Sequence, residues 1–169
     1  IYDKRGKIFI LGNGSNVLFD DNTYQGTVIK LGKSFSNITL LDSETIVAGT
    51  AVSQKKVSEF AKDNDISGLE FMSCIPGSIG GGIRMNSGCF KKEFKDFLIS
   101  IQVVDFKGLV RSIPANKISF NYRSIELPKD LIFLSATFKG KQKNSEEINN
   151  YMTELNTHTI DCQRLHDRN

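Results

Sequence analysis

Residues 68–90 read GLEFMSCIPGSIGGGIRMNSGCF, and six of the chain's 14 glycines lie in this segment. Glycine lacks a Cβ and loses more conformational freedom on folding than any other residue, so a dense cluster implies that the backbone approaches something closely. Ile75, Ile79, Ile83 and Met85 recur between the glycines at near-helical spacing, which a solvated linker would not need. The segment is therefore predicted to be an ordered loop that faces a ligand. A mobile surface loop is the alternative.

A shorter glycine motif, LGNGSN, occupies residues 11–16 and follows an apolar run that predicts a strand. Two glycines around Asn13 allow successive backbone N–H groups to converge on an anion such as a pyrophosphate, with Ser15 and Asn16 as further donors. Val17 stands where a dinucleotide fingerprint needs its third glycine, and no Gly-Lys-Ser/Thr follows as in a Walker loop. An ordinary tight turn remains the alternative.

Two further groups of residues have possible chemistry. Arg123 offers a planar charged fork for a carboxylate or phosphate, and the neighbouring Tyr122 offers an aromatic wall. His158, Cys162 and His166 are spaced four residues apart and would share one face of a helix, as zinc ligands do. The pattern predicts no firm helix past residue 156, so a frayed polar tail is favoured and no metal is expected.

The composition is typical of a soluble globular chain: 169 residues, 39% hydrophobic, 24% charged, with mean hydropathy -0.24. No apolar run approaches the roughly 18 residues of a membrane-spanning helix, which argues against an integral membrane protein. The net charge of +3 is spread along the chain and does not indicate a nucleic-acid partner. Three cysteines without C-x-x-C spacing argue against a disulfide framework and favour the cytoplasm.

Predicted strands outnumber predicted helices. The strand candidates are residues 7–11, 27–31, 38–41, 45–49, 98–105, 109–113 and 131–138. Helices are predicted from Gln54 to about Asp63, with Ser53 as the N-cap, and again after Asn144. Residues 139–144 (KGKQKN) are linker-like. Because a long βαβ alternation is missing, an α+β fold is favoured over a doubly wound parallel sheet.

Taken in order, LGNGSNVLF at residues 11–19, the glycine segment at 68–90 and NYRSI at 121–125 resemble one family. This family is UDP-N-acetylenolpyruvoylglucosamine reductase, also called UDP-N-acetylmuramate dehydrogenase, of bacterial cell-wall synthesis. The resemblance implies an α+β, two-lobed FAD-binding fold of the vanillyl-alcohol-oxidase type, truncated before a substrate-binding domain. Residues 1–30 would be the C-terminal part of the first lobe and 31–140 the second lobe. Residues 141–169 would be a helix and a lead-in to the missing domain.

The resemblance also implies an activity, namely the FAD-dependent reduction of UDP-N-acetylglucosamine enolpyruvate to UDP-N-acetylmuramate during peptidoglycan precursor synthesis. NADPH would be the hydride donor, and the enzyme would be a cytoplasmic monomer that acts on a small nucleotide sugar, with no nucleic-acid or membrane partner. The family takes its proton donor, a Ser or Cys in a segment like GSTFKNP, and a catalytic Glu from the third domain, and neither occurs here. We expect a piece of a larger protein. A catalytically dead remnant that only binds flavin, or only folds, is the alternative.

Site residues carry over by matching the motifs of the family position by position. The pyrophosphate loop would comprise Gly12, Asn13, Gly14, Ser15 and Asn16. The stretch along the flavin would comprise Pro76, Gly77, Ser78, Gly80, Gly81, Asn86 and Gly88. Arg123 matches the catalytic arginine of the family, and Tyr122 and Arg123 would bind the substrate. The resemblance implies no metal.

Overall fold

The computed structural model describes residues 6–166, with side chains described as far as Thr159. Within this range the strands are β1 (Lys7–Leu11), β2 (Gly26–Lys30), β3 (Ile38–Leu40), β4 (Thr45–Gly49), β5 (Ile66–Ser67), β6 (Gly88–Cys89), β7 (Lys92–Glu93), β8 (Leu98–Asp105), β9 (Val110–Pro114), β10 (Ser119–Asn121), β11 (Ser124–Glu126), β12 (Leu131–Lys139) and β13 (Lys141–Gln142). The α-helices are α1 (Gln54–Asp63), α2 (Ile79–Arg84) and α3 (Ser145–His166). Each predicted strand is present, with ends displaced by at most one residue.

A five-stranded sheet with the order β3-β4-β12-β8-β9 is the centre of the fold, and all its neighbouring strands are antiparallel. The middle strand, β12, buries Leu131, Phe133, Ala136 and Phe138. Its pairing with β8 shifts between Phe133 and Ser135, where a bulge restores the inward direction of the apolar side chains.

Three phenylalanines connect the sheet to the segments that cover it. The ring of Phe94 lies 5.6 Å from that of Phe138 on β12 and 6.1 Å from that of Phe71, which belongs to the 3₁₀ helix Glu70–Cys74. All three are buried, and such a side chain stabilises the fold by about 1.5–3 kcal/mol. A Cβ on Gly82 would lie 2.4 Å from the Phe94 ring, so this glycine allows α2 to pack directly on the core.

The first two strands form a separate sheet. β1 and β2 are parallel, with Lys7 opposite Gly26 and Leu11 opposite Lys30. Parallel neighbours need a long crossover, which residues 12–25 provide without a helix. The division into a first lobe at residues 1–30 and a second lobe at 31–140 stays a prediction.

The glycine segment differs from the prediction because part of it is a helix instead of a loop. Ser78 is the N-cap of α2, and its Oγ accepts a hydrogen bond from the N–H of Gly81 at 3.4 Å. Ile79 and Ile83, four residues apart on one helical face, are fully buried. Burial of this face offsets the low helix propensity of three successive glycines.

The linker prediction for residues 139–144 was wrong. β13 pairs with β5, and the N–H groups of Lys143 and Ser145 donate to the backbone and side-chain oxygens of Asp65. Hydrogen bonds fix the chain there, and neither hydrophobic alternation nor composition predicts them.

Within the described residues, no helix has the length and apolar character needed to cross a membrane.

The frayed-tail prediction was also wrong, since α3 begins after Asn144 as predicted but continues to His166. Ile148, Met152 and Leu155 are buried, and the Asn156 amide donates to Met152 O and Ser73 Oγ, so packing fixes the helix as far as residue 156. The zinc alternative depends on Cys162 and His166, whose side chains lie outside the described residues.

Candidate functional site

The two glycine motifs meet in the structure. Ser15 Oγ donates a hydrogen bond to the carbonyl oxygen of Pro76 at 3.1 Å, across 61 residues of sequence. A Cβ on Gly12 would lie 2.6 Å from Ser78 Oγ, and a Cβ on Gly77 would lie 2.9 Å from Ser15 Oγ. Real Cβ atoms do not approach that closely, so the absence of side chains at these two glycines allows the contact. The two predicted cradles are therefore in direct contact with each other.

The turn after β1 has one glycine in the left-handed region. Gly14 has φ +80°, and its carbonyl oxygen accepts a hydrogen bond from the N–H of Val17 at 3.3 Å. Asn13, Ser15 and Asn16 are exposed to solvent, where a ligand can reach them. The Ser15 hydroxyl proton is donated to Pro76 O, whereas the exposed side chains of Asn13 and Asn16 carry amide N–H donors that an anion could reach.

The backbone N–H groups at the start of α2 already donate hydrogen bonds to other residues of the protein. The N–H groups of Ile79 and Gly80 donate to the carbonyl oxygens of Val52 and Thr50 at 2.8 and 2.9 Å, and the N–H of Gly81 is capped by Ser78. A phosphate would find few open donors here. The start of α2 is therefore less favourable for an anion than the turn at residues 12–16.

Asn86 and Gly88 contact other residues of the protein. Asn86 is 2% exposed; its amide donates to Glu93 Oε2 at 3.0 Å and to Asn121 O at 3.3 Å, and its Oδ1 accepts from the N–H of Lys95. Gly88 lies in β6, opposite Glu93. Asn86 therefore connects the end of the glycine segment to β10, which leads into the Tyr122–Arg123 turn.

Arg123 occupies the turn between β10 and β11 in a left-handed conformation, with φ +55°. A non-glycine residue held in this region is strained, and such strain is common at functional sites. Tyr122 is 84% exposed, and the guanidinium carbon of Arg123 lies 5.6 Å from its ring centre. No described contact joins this pair directly to the glycine cradles; the connection runs through Asn86.

The surroundings of this turn favour an ionised Glu93 and a protonated Cys89 thiol. A hydrogen bond from Lys95 holds the pKa of Glu93 below its ordinary value, and the positive charge of Arg123 acts in the same direction. The Lys95 Nζ to Glu93 Oε2 distance is 2.6 Å. Burial raises the pKa of Cys89 to about 12, so this thiol is not a nucleophile at neutral pH.

The sequence did not point to two residues near α2. Gln54, the first residue of α1, is 1% exposed and donates its backbone N–H to Gly77 O at 3.0 Å. The guanidinium of Arg84 lies 4.6 Å from the ring centre of Phe133, and burial lowers its pKa. The sequence signal that could have pointed to Gln54 was its position, since it is a polar residue directly after the Ser53 N-cap. Nothing in the sequence placed Arg84 on Phe133.

Comparison with known proteins identifies the class to which this fold and site correspond. Residues 1–113, more than half of the chain, match the model of a family described as "FAD binding domain", and the chain belongs to this family. Alkyldihydroxyacetonephosphate synthase has the same fold, with a TM-score of 0.56 over 80% of this chain and 27% of that chain, at 16% identity. The predicted α+β FAD-binding fold of the vanillyl-alcohol-oxidase type is confirmed.

Within this class, the similar proteins are UDP-N-acetylenolpyruvoylglucosamine reductases. The chain is 57% identical to that of Pelagibacter ubique (strain HTCC1062) over 154 residues, 91% of this chain and 51% of the relative. It is 42% identical to that of Rickettsia bellii (strain RML369-C) over 161 residues, 95% and 53%. The crystal structure of the Thermus caldophilus reductase matches with a TM-score of 0.77 at 26% identity, covering 89% of this chain and 55% of that one. The resemblance is confirmed, and the chain spans about half the length of these relatives.

Proposed function

We propose that this chain is the FAD-binding part of an enzyme that reduces UDP-N-acetylglucosamine enolpyruvate to UDP-N-acetylmuramate for peptidoglycan precursor synthesis. The supporting observation is the contact between the two glycine motifs, where Ser15 binds Pro76 O and bare Gly12 and Gly77 lie against opposing hydroxyls. The 57% identity to the Pelagibacter ubique reductase supports the same substrate. The proposal includes NADPH as hydride donor, a cytoplasmic location and a monomeric state.

The residues present fit FAD. A Cβ at Gly12 or Gly77 would collide with Ser78 Oγ or Ser15 Oγ, so the two motifs can meet only with glycine at these positions, and a buried amide oxygen of Gln54 beside them has no hydrogen-bond partner among the described residues. In the proposal, residues 12–16 hold the pyrophosphate with backbone N–H groups, and residues 76–81 leave room for a flat ring system. FAD supplies the hydride-transfer chemistry when bound, while the protein binds and orients it.

Arg123 is proposed as the catalytic residue. Hydride addition to the enolpyruvyl double bond leaves a carbanion next to the carboxylate of the substrate, and the negative charge spreads onto the carboxylate oxygens. A fixed guanidinium aimed at these oxygens stabilises the transition state more than the ground state. Asn86 donates to the carbonyl oxygen of Asn121, which anchors the backbone of the left-handed turn that carries Arg123. Tyr122, which is exposed beside it, would bind the substrate.

The experiment has two stages, because flavin binding and turnover are separate properties. First, the purified protein is incubated with FAD and passed through gel filtration, and bound flavin is measured by visible absorbance. Second, NADPH oxidation is followed with the enolpyruvyl nucleotide sugar, using the full-length gene product. Bound flavin together with substrate-dependent oxidation supports the proposal. Bound flavin without oxidation supports the remnant that only binds flavin, and a colourless folded protein contradicts both.

A further inference from the structure

The buried side chain of Gln54 contains the one polar atom among the described side chains that is buried and lacks a hydrogen bond. This side chain is 1% exposed, and its Oε1 accepts no hydrogen bond within residues 6–166. Buried polar side chains nearby are paired, since Thr50 donates to Phe133 O and Ser58 donates to Lys55 O. Buried polar groups nearly always have a partner, so an unpaired one indicates a missing ligand or water.

The position of Gln54 favours a ligand. Its backbone N–H donates to the carbonyl oxygen of Gly77, and its Nε2 lies 3.4 Å from the point that a Cβ on Gly77 would occupy. Ser15 Oγ lies 2.9 Å from the same point. The end of the Gln54 side chain is therefore at the junction of the two glycine motifs, the place where the proposed cofactor would cross from one to the other.

The chemistry of an amide oxygen restricts what can bind it. Oε1 is an acceptor, so it requires an O–H or N–H donor. The pyrophosphate of FAD has only acceptor oxygens at neutral pH and cannot satisfy it. The groups on either side of the pyrophosphate, ribityl and ribose, carry hydroxyls that can donate.

We propose that Gln54 is a cofactor-binding residue whose Oε1 accepts a hydrogen bond from a sugar or sugar-alcohol hydroxyl next to the pyrophosphate. This inference rests on the proposed binding of FAD. It adds a contact from α1, an element outside both glycine motifs, and explains why a glutamine is buried at the first position of that helix.

The test compares Gln54→Met, which keeps a similar length and volume but removes the amide, with Gln102→Met at an exposed position on β8. FAD affinity is measured by quenching of flavin fluorescence. Loss of one neutral hydrogen bond is expected to weaken binding by about three- to tenfold in Gln54→Met, with no change in Gln102→Met. The thermal midpoint without FAD should not fall in Gln54→Met, because the acceptor removed has no donor in the free protein.

Titrations with FMN and ADP distinguish the two hydroxyl sources. Weaker FMN binding by Gln54→Met assigns the ribityl group, and weaker ADP binding assigns the ribose. Equal FAD affinity in wild type and Gln54→Met overturns the inference alone and points to a structural water. A wild-type protein that does not bind FAD overturns the inference and the proposed function together.

A measurement on the wild-type protein covers the case in which Gln54→Met does not fold. In ¹H–¹⁵N spectra, the side-chain NH₂ signals of Gln54 should shift on addition of FAD, while those of Gln102 stay in place. An unshifted Gln54 signal at saturating FAD would overturn the inference without any substitution.

Discussion

Two glycine-rich regions of the molecule, residues 12–25 and residues 68–90, differ in how firmly the fold holds them. In the first, Leu18 is 99% exposed and Phe19 is 59% exposed, and one side-chain hydrogen bond, from Ser15 to Pro76, connects the turn to the second region. In the second, Phe71, Ile79 and Ile83 are buried in the core. The apolar residues between the glycines, and not the glycine content, decide whether such a segment is rigid.

This difference predicts different roles for the two regions in the proposed site. The buried region is in place before any ligand binds, because its helix and its hydrogen bonds belong to the core. The exposed turn has few buried contacts, so its local stability is low, and we expect ligand binding to order it most. Substitutions in the buried region should change folding or chemistry, whereas those at the junction should change cofactor affinity.

Arg123→Ala is expected to have the largest effect, since the buried region fixes this residue through Asn86. In the full-length enzyme, turnover should fall by about a hundred- to a thousand-fold, the typical cost of removing one transition-state donor. FAD affinity should not change. Steady-state NADPH oxidation and a flavin titration measure the two quantities, and Arg111→Ala on β9 is the control. Unchanged turnover in Arg123→Ala would remove Arg123 from the mechanism.

Gly82→Ala tests whether the buried region is a rigid part of the core. The added Cβ would lie 2.4 Å from the Phe94 ring, so the free energy of unfolding should fall by about 1–3 kcal/mol through overpacking. Gly81→Ala in the same helix is the matched control: its Cβ would meet only Ser78 Oγ at 3.6 Å, and alanine favours a helix. Urea unfolding should therefore show opposite signs for the two variants. Equal effects would mean that α2 is not packed as described.

Glu93→Gln should have the smallest effect on stability. Glu93 accepts a hydrogen bond from Asn86, the residue that connects the glycine segment to the Arg123 turn. Because the pKa of Glu93 is lowered in the folded state, its contribution to stability is complete above the ordinary value of 4.5 and is lost as the pH falls through the folded pKa. Thermal midpoints measured between pH 7 and pH 3 should show a small deficit for Glu93→Gln that disappears at the acid end. A deficit that grows on acidification would contradict this assignment.

The sequence predicted β1, β2 and the five strands of the central sheet, because short β-branched runs bounded by turn residues have a clear pattern, as at β1 and β4. It missed the strands of two or three residues at β5, β6, β7, β10, β11 and β13. It predicted two glycine motifs as ligand-binding segments, and the structure brings these two motifs into contact. It did not predict that residues 141–142 pair with β5 or that α2 is a helix, since both depend on contacts with distant segments. The role proposed for Gln54 could not be predicted from the sequence either, because only the fold brings the start of α1 to Gly77.

The most direct test of a single FAD site built from both glycine motifs is a calorimetric titration of the purified protein with FAD. Wild type should bind one FAD per chain, and Gly77→Ala should bind at least about tenfold more weakly, because the Cβ would press on Ser15 Oγ and separate the two glycine motifs. Gly108→Ala is the control for strain alone, since Gly108 has φ +91° and open space around it. FAD binding by Gly77→Ala with wild-type affinity, or no heat of binding from the wild type, would contradict the account.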